Sequence, residues 1–153
     1  MKTNTATDNN TVPTIRLVTE KPVAFPNPAT AKVAVIGLGY VGLPLILGFS
    51  RGSRAIGFDI SESKIQELGQ GIDLTGEANP EDLRGCNVDF TTTPEMLAQA
   101  DVIIVCVPTP VDSHNKPDYS PLISASKSIG KHMKRGAVVV FESTVDPGTT
   151  EDR

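Results

Sequence analysis

Four short apolar runs limit what this chain can fold into: KVAVI at 32–36, RAIGFDI at 54–60, ADVIIVCV at 100–107 and GAVVVF at 136–141. Each is rich in β-branched residues and apolar on both faces, the pattern of a strand covered from two sides in a parallel sheet. Parallel neighbours need crossover connections, and the intervening segments read as helices. One runs from Val41 to about Arg51. Another runs from Ser61 to Leu68, with Ser61 as N-cap, Glu62 in the first turn, and Ile65 and Leu68 three apart. A third spans Pro94 to Ala100, and a fourth opens at Ser120-Pro121, reaches about Lys134 and is closed by Gly136. Strands and helices alternating in this way predict right-handed crossovers and an α/β, Rossmann-like doubly wound sheet, mainly parallel. The weakly periodic stretch Gly69 to Phe90 accommodates only a short helix around Glu81 to Leu83 and a short strand near Val88 to Thr91.

The chain has 153 residues, enough for one domain with a real core, and is 39% hydrophobic and 21% charged. Its formal charge of -4, with Lys and Arg scattered, leaves no footprint for nucleic acid or an anionic membrane. No run approaches the ~18 apolar residues of a membrane span. Two cysteines are too few for a disulfide framework, and the N-terminus lacks the apolar core of a signal peptide, so a cytoplasmic setting is expected. Residues 1–30 read as a flexible polar extension, with three prolines in PVAFPNPAT, and 31–153 as the folded domain.

The first run breaks into GLGYVG, Gly37 to Gly42, and resumes as an apolar helix. Three glycines alone decide nothing, but a strand before them and a helix after them form the context of a dinucleotide cradle. Gly37 would make the tight turn, Gly39 let the backbone approach a pyrophosphate, and Gly42 pack the helix against the strand. Backbone N–H groups around Tyr40 and Val41 would then face the phosphates from the positive end of the helix. Asp59, twenty residues after Gly39 at the end of the second run, fits the carboxylate that binds the adenosine ribose. A negative charge there favours NAD over NADP, whose additional phosphate it would repel. Lys64 is either a second contact to that ribose or a solvated helix residue.

Ligands of open α/β sheets bind beyond the carboxyl ends of the strands, which draws attention to VPTP at 107–110 and ESTVDPGTT at 142–150. Their Thr109, Ser143 and Thr144 hydroxyls either face that crevice or cap local turns. Other reactive side chains lack a constellation. His114 and His132 have no grouped metal partners, so no metal site is expected. Cys86 has no nearby His, and Cys106, inside VIIVCV, reads as a small buried hydrophobe.

Taken in order, KVAVIGLGYVGLPL, GFDI, DLTGE, ADVIIVCVPTPVD, PDYSPL and ESTVDPGTTE resemble the N-terminal NAD-binding domain of the UDP-glucose/GDP-mannose dehydrogenase family, over about Lys32 to Arg153. The resemblance is greatest to the branch that oxidises UDP-N-acetylhexosamines for surface polysaccharides. It implies a cytoplasmic enzyme, homodimeric or larger, that oxidises a sugar primary alcohol to a uronic acid with two NAD molecules and a cysteine nucleophile. Carried over by position, Gly37, Leu38, Gly39, Tyr40, Val41 and Gly42 would hold the pyrophosphate, and Asp59 and Lys64 the ribose. Val107, Pro108, Thr109 and Thr144 would sit at the nicotinamide side, with Thr144 also positioning the hydrolytic water. Many relatives have Arg where this chain has Lys64. Neither cysteine falls at the nucleophile's place, and the family's substrate-binding domain would lie past Arg153. The expectation is therefore an NAD-binding domain truncated at its C-terminal sheet edge and inactive alone. The competing reading is a stand-alone NAD-sensing module.

Overall fold

The apolar runs become the body of a five-stranded parallel sheet in the computed structural model, which describes residues 24–111 and 116–145. The strands are β1 (Val33–Ile36), β2 (Ala55–Phe58), β3 (Val88–Thr91), β4 (Val102–Val105) and β5 (Val138–Phe141), in the order β3-β2-β1-β4-β5. β1 is central, with Ile36 opposite both Phe58 of β2 and Val105 of β4. The chain builds outward from β1 to β3, then crosses back to add β4 and β5 on the other side. That reversal opens a crevice above the carboxyl ends of β1 and β4.

The two-faced apolar character of the runs is explained by cover on both sides. Val33, Val35, Ala55 and Ile104 pack with Leu43 and Ile46 of α1 (Gly42–Ser50), Leu68 of α2 (Glu62–Gly69) and Leu83 of α3 (Pro80–Arg84). Ala34, Ile36, Ile56, Phe58, Ile103 and Val105 face the other way, against Leu97 and against Ala125 and Ile129 of α4 (Ser120–His132). Alternate residues of one strand thus enter two different cores, each fully buried Val, Leu, Ile or Phe there contributing about 1.5–3 kcal/mol. β5 differs. It pairs only with β4, and its valines are half-buried, so among the described residues it is an edge.

Local structure departs from expectation in three places. The Pro94 segment is a six-residue 3-10 turn, Pro94–Gln99, leading into β4. α4 takes Tyr119 as its cap residue, with the Ser120 N–H donating to Asp118 Oδ1 at 2.9 Å, so Ser120 is already inside the helix. It stops at His132 because Met133 turns extended, and Gly136, at φ 87°, serves the turn into β5. Ser61 does cap α2, its hydroxyl accepting from the Lys64 N–H at 3.3 Å. No described helix is long and apolar enough to cross a membrane. The expected extension at 1–30 falls largely outside the described residues, as does His114.

Candidate active-site crevice

The turn after β1 owes its shape to two glycines. Gly37 has φ 90°, and a Cβ on it would stand 2.8 Å from the Cys106 carbonyl oxygen. On Gly42 a Cβ would come within 1.8 Å of the Gly37 carbonyl oxygen. Both positions are closed by the fold itself. Gly39 is the opposite case, since a Cβ there would meet nothing within 4 Å. The space over Gly39 opens into the crevice, which leaves the third glycine unexplained by packing and fits the close approach of a ligand.

The start of α1 offers donors at the same place. Its first bonds run from the Leu43 N–H to the Gly39 carbonyl at 3.0 Å and from Leu45 to Val41 at 3.3 Å. Among the described residues the N–H groups of Tyr40, Val41 and Gly42 therefore have no acceptor, and the helix dipole adds partial positive charge behind them. Pro44, in the first turn, has no N–H to donate, and the helix continues past it through the Leu45 bond.

Asp59 follows β2 and is 7% exposed. Its Oδ2 accepts from the Leu38 N–H at 2.9 Å and from Lys64 Nζ at 2.9 Å, and its Oδ1 from the Ser61 N–H at 3.0 Å. Burial pushes the carboxyl up, but the Leu38 amide, the Lys64 ammonium and the Ser61 amide together outweigh it and hold the group below the usual carboxylate range. The ionised carboxylate is thus wired into the glycine turn, a role the motif does not announce. Lys64 is not a solvated residue: it is half-buried, ion-paired to Asp59 and lines the same crevice.

The loops after β4 and β5 are tied together across 35 and 36 residues of sequence. Thr109 Oγ1 donates to the Thr144 carbonyl at 2.7 Å, and Ser143 Oγ donates to the Val107 carbonyl at 2.7 Å. These hydroxyls neither cap their own turns nor point free. They are rungs between adjacent strand ends. Thr109 keeps its oxygen lone pairs for accepting a bond, whereas its proton is committed.

These parts converge on one crevice of about 510 Å³, lined by Gly37, Gly39, Tyr40, Val41, Asp59, Lys64, Val107, Pro108, Thr109 and Thr144 among others. Leu38 and Gly42 lie beneath it, both buried. Sequence reasoning missed several of its walls. Ile60 lies 85% exposed beside Asp59, Pro121, Ser124, Ala125 and Ser128 of α4 close one side, and Glu142 follows β5. The i, i+4 spacing of Ser124 and Ser128 on a helix after β4 was the available signal.

Cys106 is only half-buried: it packs against the core on one side and lines the crevice on the other. Burial and the nearby Glu142 carboxylate push its thiol up, away from a nucleophilic thiolate. Cys86 lies elsewhere, its Sγ donating to the Leu83 carbonyl at 3.0 Å. Among the described residues no group of three His, Cys, Asp or Glu is placed to hold a metal.

A profile of the UDP-glucose/GDP-mannose dehydrogenase family, NAD binding domain, matches residues 31–153. The chain is 50% identical over 122 residues to UDP-N-acetyl-D-glucosamine 6-dehydrogenase of Pseudomonas aeruginosa, covering 79% of this chain and 29% of that protein. It is 49% identical over 120 residues to Protein CapL of Staphylococcus aureus, covering 78% and 28%. The structure of a UDP-D-ManNAc dehydrogenase from Pyrococcus horikoshii superposes with a TM-score of 0.72 at 36% identity, over 78% of this chain and 30% of that one. The chain thus spans less than a third of the length of each.

Proposed function

The chain belongs to the UDP-glucose/GDP-mannose dehydrogenase family and carries its NAD-binding domain, and from that premise we propose that it is the cofactor-binding part of a cytoplasmic UDP-sugar 6-dehydrogenase. The whole enzyme would oxidise a sugar primary alcohol to a uronic acid in two NAD-dependent steps, as a homodimer or larger, for surface polysaccharide precursors. A UDP-N-acetylhexosamine is the substrate class favoured by the names of the relatives.

The observation that carries this reading is the open face over Gly39 between the unbonded N–H groups of α1 and the ionised Asp59. When bound, NAD supplies the hydride acceptor. The Tyr40, Val41 and Gly42 N–H groups would hold its pyrophosphate, with Gly37 and Leu38 shaping the turn. Asp59 would accept from a ribose hydroxyl through the remaining lone pair of Oδ1, while Lys64 keeps it ionised. Val107, Pro108 and Thr109 would line the nicotinamide side, with Thr109 as an acceptor. Thr144, whose carbonyl is held by Thr109, would present its hydroxyl to the hydrolytic water. The 153 residues alone would bind cofactor without turning over substrate, since neither Cys86 nor Cys106 stands where the family places its nucleophile.

Calorimetric titration tests this. NAD is expected to bind more tightly than NADP, and UDP-N-acetylglucosamine with NAD is expected to yield no NADH from this chain. A preference for NADP would sink the role of Asp59, and turnover would sink the claim that the chemistry needs further residues.

A further inference from the structure

The crevice has a carboxylate at each end, and the two are in different electrostatic states. Asp59, after β2, is nearly buried and ion-paired to Lys64. Glu142, after β5, is exposed and lines the same crevice. Its backbone N–H donates to the Val105 carbonyl at 2.9 Å, which fixes the residue beside the end of β4. Its charge reaches Cys106 in the crevice wall. The ion pairs recorded between described side chains join Arg54 to Asp89, Lys64 to Asp59 and Lys134 to Asp101, and Glu142 is in none of them.

A dinucleotide lying from the β2 end to the β5 end would place adenosine near Asp59 and nicotinamide near Glu142. Adenosine is neutral at that end, and so an already neutralised carboxylate suits it. The nicotinamide ring carries a positive charge when oxidised and none when reduced. We infer that Glu142 is a specificity-determining residue for the oxidation state of the cofactor, its carboxylate, in no ion pair with the described side chains, favouring NAD over NADH. This rests on the reading of the crevice as the NAD site in that orientation. In a dehydrogenase such a charge helps the oxidised cofactor load and the reduced one leave.

An exposed unit charge a few ångströms from a cation gives a preference of about fivefold. The preference is expected to shrink as salt rises, because the screening length falls from ~30 Å at 0.01 M to ~3 Å at 1 M.

The experiment compares NAD, NADH and ADP-ribose binding to the 153-residue chain and to Glu142→Gln and Glu142→Asp. In Glu142→Gln, NAD affinity is expected to fall about fivefold, with NADH and ADP-ribose within twofold of their original values and Glu142→Asp largely retaining the NAD preference. Because Glu142 is exposed, the fold is not expected to change, and ADP-ribose binding reports on that directly. An unchanged NAD-to-NADH ratio in Glu142→Gln would overturn the inference alone. Equal losses for all three ligands would overturn it as well, since they would show a general effect on the crevice. Failure of the unaltered chain to bind any of the three would overturn both this inference and the cofactor reading beneath it.

Discussion

The two ends of the crevice are built by different means. At the β2 end, Asp59 gathers three donors from Leu38, Ser61 and Lys64, two of them within five residues of it in sequence, and all are held against a closed core. At the β5 end, the loops are joined by two hydroxyl rungs between residues that are exposed or half-buried, above an edge strand with one partner. The first end adjoins the packed core around β1. The second is an attachment whose position depends on β4 and β5 keeping register. At Asp59 cofactor recognition is therefore coupled to stability, whereas at the second end it can be altered with little effect on the fold.

The glycines give the largest test of that contrast. Gly42→Ala drives a Cβ into the Gly37 carbonyl, and is expected to cost more than ~3 kcal/mol or to prevent folding, read by urea denaturation. Gly39→Ala, with open space around its Cβ, is expected to change stability by less than ~0.5 kcal/mol. It should nevertheless abolish measurable NAD binding. Comparable destabilisation by the two changes would break the distinction between a glycine required by packing and one required by a ligand.

Next in size is Asp59→Ala, which removes the acceptor of the buried Leu38 N–H and should destabilise by about 2 kcal/mol. It should also relax the discrimination between NAD and NADP. The pH dependence follows from the lowered folded-state pKa. A carboxyl held below its unfolded value contributes stability that is fully present above that value, near 3.8, and is lost as pH falls through the lower folded one. The urea midpoint should thus fall more steeply below about pH 4 in the unaltered chain than in Asp59→Ala. Some slope remains in the variant, because Asp73, Asp101 and Asp118 are lowered too. Identical acid slopes would show that the wiring of Asp59 contributes nothing to stability.

The smallest effect belongs to the rungs. Thr109→Val should cost no more than about 1 kcal/mol and leave ADP-ribose binding intact while weakening NAD. Equal loss for both ligands would show that the two ends are not separable.

Much of the fold was legible because it is written in local pattern. The β-branched runs gave the strands, and Val88 to Thr91 emerged even from a weakly periodic stretch. Ser61 announced α2. Pro94 misled because a proline opening is shared by α-helices and 3-10 turns: Pro80 opens the one and Pro94 the other. Cys106 lies one residue past the end of β4 at Val105, so it both packs against the core and lines the crevice, which an unbroken apolar run does not distinguish.

The sequence by itself determined the succession of strands and helices, the turn between β1 and α1, and a carboxylate at the end of β2, because each depends on neighbours along the chain. Only the tertiary structure decided that Lys64 pairs with Asp59, that Thr109 and Ser143 tie two loops together, and that Glu142 lines the same crevice as Asp59. Those facts depend on which strand lies beside which. A crossover that carries β4 back past β1 makes neighbours of residues that no period in the sequence connects.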